Sequence, residues 1–297
     1  MSDAIVVEGL EKSYGERRAV AGISFSVRTG EIVGLLGPNG AGKTTTIEIL
    51  EGLRDRDAGV VNVLGRDPKR RDRRLNVAIG VVPQSSGIDV ELTVRETIRL
   101  YASFYRIRRN VDDVIEEVGL GEFDRTRLSS LSGGLRRRVD LALAIIGNPN
   151  VLFLDEPTTG LDPAARRKTW EVIANLGAAG TAILLTSHYL EEVQFLADRV
   201  IVLRAGSIVA NDQPDRIGGS PELSVFIDFR DDDVPLPAGP WERLPSPPGT
   251  VELVTDDVTE AIRILSTWAV GRGVKLESLE VRHRSLEERY LELTAEQ

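Results

Sequence analysis

The chain has no cysteine in its 297 residues, so it can form neither a disulfide framework nor a thiolate metal site. That absence is compatible with a reducing cytosol. It also lacks long apolar runs. The longest, such as Ala182-Ile183-Leu184-Leu185 and Val200-Ile201-Val202-Leu203, are strand-sized and far short of a membrane span. Met1–Ile5 has no basic segment followed by an apolar one, so no signal peptide is expected. These absences predict a soluble protein; any membrane work requires another chain. Positive charge is short as well: the net charge is −9, which disfavours general attraction to nucleic acid. Residues 221–297 hold 16 acidic and 8 basic side chains, against 30 and 29 in residues 1–220, which marks the tail as a separate acidic unit. One basic run, Arg66-Asp67-Pro68-Lys69-Arg70-Arg71-Asp72-Arg73-Arg74, departs from this balance. Its interrupting aspartates favour solvated surface over a nucleic-acid patch.

Glycine is placed with more purpose. Gly37-Pro38-Asn39-Gly40-Ala41-Gly42-Lys43-Thr44 follows the apolar run Glu31–Leu36 and precedes the helix-like Thr45–Leu50. Strand, glycine-rich loop and helix start stand in the order a phosphate-binding loop requires. The glycines allow backbone N–H groups to turn inward as an anion nest, and the helix start adds its positive dipole end. Lys43 is then placed to reach β- and γ-phosphates, and the Thr44 hydroxyl to ligate Mg²⁺. A nucleoside triphosphate site is implied.

Ile5–Val7 and Ala19–Val27 read as strands leading into the loop strand. Thr93–Glu96 has capping-box spacing and predicts a helix to about Ile107. Its apolar residues fall on two faces: Ile98, Tyr101, Ala102 and Tyr105 on one, Leu100, Phe104 and Ile107 on the other. Such a helix is either deeply buried or holds a partner on its second face. Another helix is expected at roughly Leu135–Ile146, then buried strands at Val151–Leu154 and Thr181–Leu185. The alternation implies an α/β fold with a largely parallel sheet. Gly218–Pro221 reads as a linker. Beyond it, strands at Leu223–Phe229, Val251–Val254 and Val274–Val281, a helix at Asp257–Ala269 and a terminal helix at Ser285–Leu293 predict a small α+β module. A proline-rich excursion (Pro235, Pro237, Pro240, Pro245, Pro247, Pro248) interrupts it.

Val151–Leu154 runs into Asp155-Glu156. Acids ending a sheet strand lie beside a phosphate loop, where Asp155 can hold the Mg²⁺ shell and Glu156 can orient or deprotonate an attacking water. Taken alone they can also be two solvated acids. Leu131-Ser132-Gly133-Gly134-Leu135, with Gly160-Leu161-Asp162-Pro163 and Ser187-His188 further on, changes the weighing. With the phosphate loop, this series over roughly residues 4–217 resembles the ATP-binding subunit of ABC transporters. The resemblance implies a P-loop NTPase with an ABC-type helical subdomain (about residues 85–150) and an antiparallel β subdomain. Residues 1–220 would form the ATP-binding domain and 221–297 a C-terminal accessory domain. ATP and Mg²⁺ are implied as substrate and cofactor. Gly37, Asn39, Gly40, Ala41, Gly42, Lys43, Thr44 and Thr45 would hold the phosphates, and Tyr14 would stack on adenine. Thr44, Gln84 and Asp155 would ligate Mg²⁺. Glu156, His188, Gln84 and Lys43 would serve catalysis. Ser132, Gly133 and Gly134 would close over the ATP of a second copy, with Asp162 communicating across the dimer. Leu135 replaces the family's usual Gln, which leaves Ser132 and the backbone donors intact.

Leu286–Thr294, with Glu11–Gly15 and Ser187–Glu192, resembles the daunorubicin/doxorubicin-resistance type of drug-export ATPase. That implies a separate ABC-2 type permease, a homodimer, ATP hydrolysis coupled to export of hydrophobic compounds, and a peripheral position on the cytoplasmic face of the membrane. Polysaccharide or lipid exporters share much of this pattern. A soluble ABC ATPase acting on nucleic acid or ribosomes is the reading from another class; the single ATP domain and lack of extended heptads speak against it, so no nucleic-acid partner is expected. Leu100 and Phe104 are expected to face the permease.

Overall fold

A computed structural model describes residues 2–84, 87, 91–217, 223–229, 235–244, 250–255, 257–283 and 286–294. The contacts divide the chain into two units, one ending at Pro214 and one starting at Asp215. The linker expected at 218–221, and Pro245, Pro247 and Pro248, lie outside the described residues.

In the first unit, β1 (Asp3–Tyr14) and β2 (Arg17–Arg28) form a long antiparallel hairpin that extends past both ends of the strands expected at Ile5–Val7 and Ala19–Val27. β3 (Ile32–Leu36) is buried along its length and leads through the glycine loop into α1 (Lys43–Leu50). β4 (Ala58–Val63) completes the small antiparallel sheet, in the order β2-β1-β4. The short α2 (Arg73–Asn76) and β5 (Ile79–Val82) follow.

Helices α3 (Val94–Ala102), α4 (Val111–Glu117) and α5 (Gly133–Ile145) come next. The Thr93–Glu96 capping box forms as expected, with the Glu96 carboxylate accepting from the Thr93 N–H at 2.9 Å. α3 nevertheless stops five residues short of Ile107. The Ser103 hydroxyl donates to the Leu100 carbonyl, and the N–H groups of Phe104 and Tyr105 reach only three residues back. This tightened turn lays the Tyr105 ring on Gly147, where a Cβ would sit 2.4 Å from a ring carbon. The two apolar faces therefore part: Ile98 and Ala102 are buried, while Leu100, Phe104 and Ile107 are 45%, 64% and 75% exposed.

The chain then forms β6 (Val151–Asp155), α6 (Pro163–Ala178), β7 (Ala182–Thr186), α7 (Leu190–Leu196) and the hairpin β8 (Arg199–Arg204) with β9 (Ser207–Asp212). The main sheet runs β5-β6-β7-β3-β8-β9, parallel except at its last pair. Because β3, β6 and β7 carry no solvent-facing edge, they read as continuous apolar runs rather than alternating ones.

The second unit is a four-stranded antiparallel sheet in the order β11 (Glu242–Leu244), β12 (Thr250–Thr255), β10 (Leu223–Phe229), β13 (Leu276–His283), with one helix, α8 (Val258–Arg272), on one face. α8 outlasts its expected end by a turn, starting at an Asp257 cap and stopping at Gly273. Val225, Ile227, Val251, Leu253, Ala261 and Leu265 make the core. In α9 (Leu286–Thr294), buried Arg289 donates to the Ile217 carbonyl at 3.2 Å.

Candidate functional site

The strand order places the site. β7 lies between β3 and β6, so the glycine loop after β3 and the acids ending β6 flank the end of one buried strand. This is the carboxyl edge of a parallel sheet, where α/β proteins hold ligands.

Gly42 caps α1 with φ 105°, and a Cβ there would lie 2.4 Å from the Ala19 carbonyl, so only glycine allows the loop its approach to β2. Lys43 is buried, and its Nζ donates to the carbonyls of Gly37 at 2.6 Å and Pro38 at 3.2 Å. Burial pushes its pKa down, while Glu156 and Asp155 push it back up; the ammonium thus shares a field with both acids. Asn39, Gly40 and Thr44 are exposed, Thr45 is half-buried and Ala41 is buried. Tyr14 is 42% exposed at the hairpin tip, and Arg17 of that hairpin donates to the Gly40 carbonyl at 3.0 Å. The tyrosine strand is thereby tied to the phosphate loop.

Asp155 is buried and accepts from the Thr186 hydroxyl at 2.5 Å. Glu156 adopts φ 53°, a left-handed conformation that costs a non-glycine residue about 1–2 kcal/mol. The bend turns its carboxylate toward His188, whose Nε2 lies 2.6 Å from Oε1. Thr159 donates to the other oxygen at 3.3 Å. The geometry brings together Lys43, Asp155, Glu156 and His188. Thr44, Asp155 and Gln84 are oxygen donors of the hard type that suits Mg²⁺.

Ser132 caps α5, accepting from the Leu135 N–H at 3.3 Å, which leaves Ser132 and Gly133 exposed at a helix N-terminus. A Cβ on Gly134 would meet the Leu161 side chain at 3.0 Å, so this turn is seated on the loop before α6. Asp162 begins α6, and the Ala165 N–H donated to it holds its carboxyl below the usual range.

Three groups escaped the sequence reading. Buried Arg137 donates to the carbonyls of Pro157 at 3.2 Å, Glu156 at 2.8 Å, Asp155 and Pro83, binding the acid loop to the residue before Gln84. It lies within Arg136-Arg137-Arg138, and only the helical phase it shares with buried Leu141 and Ala144 singles it out. Glu192, fully buried on α7, accepts from Thr158 at 2.8 Å and Trp170 at 2.9 Å. Burial raises its pKa.

The third, Glu51, follows α1 and lines a groove of about 780 Å³ with Arg71, Asn76, Tyr101 and Tyr105. Burial first, then Asp155 and Glu48, push its pKa from the ordinary 4.5 up to about 8. Between these values the unfolded chain releases a proton that the folded chain keeps. Stability therefore falls as pH rises through the window, by at most about 1.4 kcal/mol per pH unit. Glu51→Gln removes that slope, which urea unfolding followed from about pH 4.5 to 8 will show; an unchanged slope excludes Glu51 as its source.

Residues 20–159 match the ABC transporter family, and residues 228–285 match the C-terminal domain of ABC transporter domain-containing-like proteins. The daunorubicin resistance ATP-binding protein DrrA2 of Streptomyces coeruleorubidus is 37% identical over 98% of this chain and 95% of its own. The Nod factor export ATP-binding protein I of Paraburkholderia xenovorans (strain LB400) is 42% identical over 78% of this chain and 81% of that relative. Among solved structures, an ATP-binding subunit of an ABC transporter superposes with TM-score 0.66 at 27% identity, covering 72% of this chain and 91% of that one. A bacterial ABC transporter cassette, solved as a dimer, gives 0.64 at 25%, covering 70% and 98%. The first unit is thus a P-loop NTPase of ABC type, and its activity is ATP hydrolysis coupled to transport. The chain belongs to the ATP-binding subunits of ABC transporters.

Proposed function

We propose that this subunit drives an exporter of drugs or other hydrophobic compounds through a separate ABC-2 type permease, as a homodimer at the cytoplasmic face of the membrane. Among the described residues no helix is long and apolar enough to cross a membrane, so the transport path belongs to the partner. The relative named for daunorubicin resistance, matched over nearly the whole chain, favours drugs. The relative named for Nod factor export supports a second reading, a polysaccharide or lipid exporter.

Residues 1–220 form the ATP-binding domain, with the helical subdomain at about 85–150, and 221–297 the accessory domain. Tyr14 stacks on adenine. Gly37, Asn39, Gly40, Ala41, Gly42, Lys43 and Thr45 receive the phosphates, and Thr44, Asp155 and Gln84 hold Mg²⁺. When bound, that ion neutralises charge on the β- and γ-phosphate oxygens. Glu156 takes the proton of the attacking water, and His188, held at 2.6 Å, fixes the carboxylate's direction and reaches the γ-phosphate. Ser132, Gly133 and Gly134 of one copy close over the ATP of the other, with Asp162 beside them, which requires a two-fold, head-to-tail contact.

The observation that carries the permease assignment is the exposed apolar rim of Leu100, Phe104 and Ile107 beside the Tyr101–Tyr105 groove. The Phe104 ring lies edge-on to Tyr101, with centroids 5.8 Å apart, so rim and groove form one surface fit for a short permease helix. Phe104→Ser is expected to leave ATPase activity of the isolated subunit intact and to abolish co-purification with the ABC-2 permease of the same genome neighbourhood. Undiminished co-purification places the docking site elsewhere.

A further inference from the structure

The basic run between β4 and β5 differs in space from its appearance in sequence. Within the run, its two aspartates form an ion pair with Arg66 alone, and they only weaken the field of Arg70 and Arg74. Asp67 accepts from the Lys69 N–H at 3.0 Å and pairs through both oxygens with Arg56, each at 2.8 Å. Asp72 accepts from the Arg74 N–H at 2.8 Å and pairs with Arg66. Both acids thus cap short helical turns, and their ion pairs go to Arg56 outside the run and to Arg66 at its start. Buried Pro68 and Leu75 pin the turns to the protein. Lys69, Arg70, Arg71, Arg73 and Arg74 remain exposed, and none makes an ion pair among the described residues. A chain of net charge −9 therefore presents one dense cationic strip.

We propose that this strip contacts the anionic headgroups of the membrane beside the permease. Arg71 and Asn76 line the same groove as Tyr101 and Tyr105, so the strip is continuous with the proposed docking surface, and the inference rests on that reading. Its exposed apolar neighbours are Leu53 at 70% and Val77 at 43%, aliphatic side chains that suit a headgroup boundary. Each cation near an acidic bilayer strengthens binding by about five-fold, and the attraction fades beyond a Debye length. The strip would hold the soluble subunit close to the membrane and orient its groove toward it.

The test uses the purified full chain without permease, sedimented with phosphatidylcholine vesicles containing about 30% phosphatidylglycerol or none. Binding is expected on the acidic vesicles only, weakening as salt rises. Lys69→Gln/Arg70→Gln/Arg74→Gln, which spares the groove lining, should lower the partition coefficient about a hundredfold with ATPase activity of the soluble protein unchanged. Leu100→Ser/Phe104→Ser should lose the permease and keep the vesicles, which separates failure of docking from failure of lipid contact. Equal retention on neutral vesicles, a triple variant that binds like the parent, or vesicle binding lost in the apolar pair overturns the proposal. So does strip-dependent binding of a single-stranded RNA oligonucleotide without vesicle binding.

Discussion

Glu156→Gln is expected to keep ATP bound while turnover drops by ~10²–10⁴-fold, the loss that follows removal of a positioned base. The amide matches the carboxylate in size and can still accept from His188 Nε2, so the 2.6 Å contact and the left-handed turn at residue 156 have no reason to rearrange. The glycine loop after β3 and Lys43 at the start of α1 belong to other elements, so the proposed phosphate contacts should remain. What disappears is a group able to take a proton from water. With hydrolysis blocked, ATP should trap the proposed closed dimer. Phosphate release, nucleotide binding and gel filtration with ATP measure the three effects. Near-normal turnover removes Glu156 from the role of base, and persistent monomer with ATP bound removes the head-to-tail dimer.

Arg137→Ala should strongly destabilise the first unit. One guanidinium serves four carbonyls from two segments in a place water barely reaches. Its removal strips those acceptors of a charged donor and leaves a void. Losses of about 3–5 kcal/mol accompany the breaking of such buried charged contacts. For a unit of this size that corresponds to a fall of roughly 10 °C in Tm. Thermal and urea unfolding, with ATPase activity measured well below the new Tm, separate instability from misplacement of Gln84. A loss under ~1 kcal/mol would show that the carbonyls find other donors.

The contrast between these two residues explains what was legible in the sequence. Glu156 is visible because its chemistry is local: an apolar strand delivers it, and the acid follows directly. The glycine loop is visible for the same reason, since its conformation and its ligand depend on adjacent residues. Arg137 depends on which way α5 turns its face, and that is settled by packing against β5 and the acid loop. The same dependence hid the end of α3. Periodicity continued to Ile107, but the place for Tyr105 on Gly147 is set by residues over forty positions away. The basic run reads in sequence as solvated surface, and its cations are exposed; the engagement of its aspartates by Arg56, Arg66 and backbone N–H groups appears only after folding. The sidedness of Leu100 and Phe104, open in sequence, was decided by the core that Ile98 and Ala102 claimed.

Glu192 has a mechanical consequence. Its carboxyl joins α7, which follows His188, to Thr158 in the acid loop and to Trp170 on α6, the helix begun by Asp162. Both partners meet the carboxyl in a buried place where a broken bond is not readily replaced by water, so slippage between these elements is costly. If His188 follows the γ-phosphate and Asp162 follows the neighbouring copy, neither can report independently. On that reading the clasp would turn loss of phosphate at one site and loosening of the subunit contact into a single event, a latch released from either end.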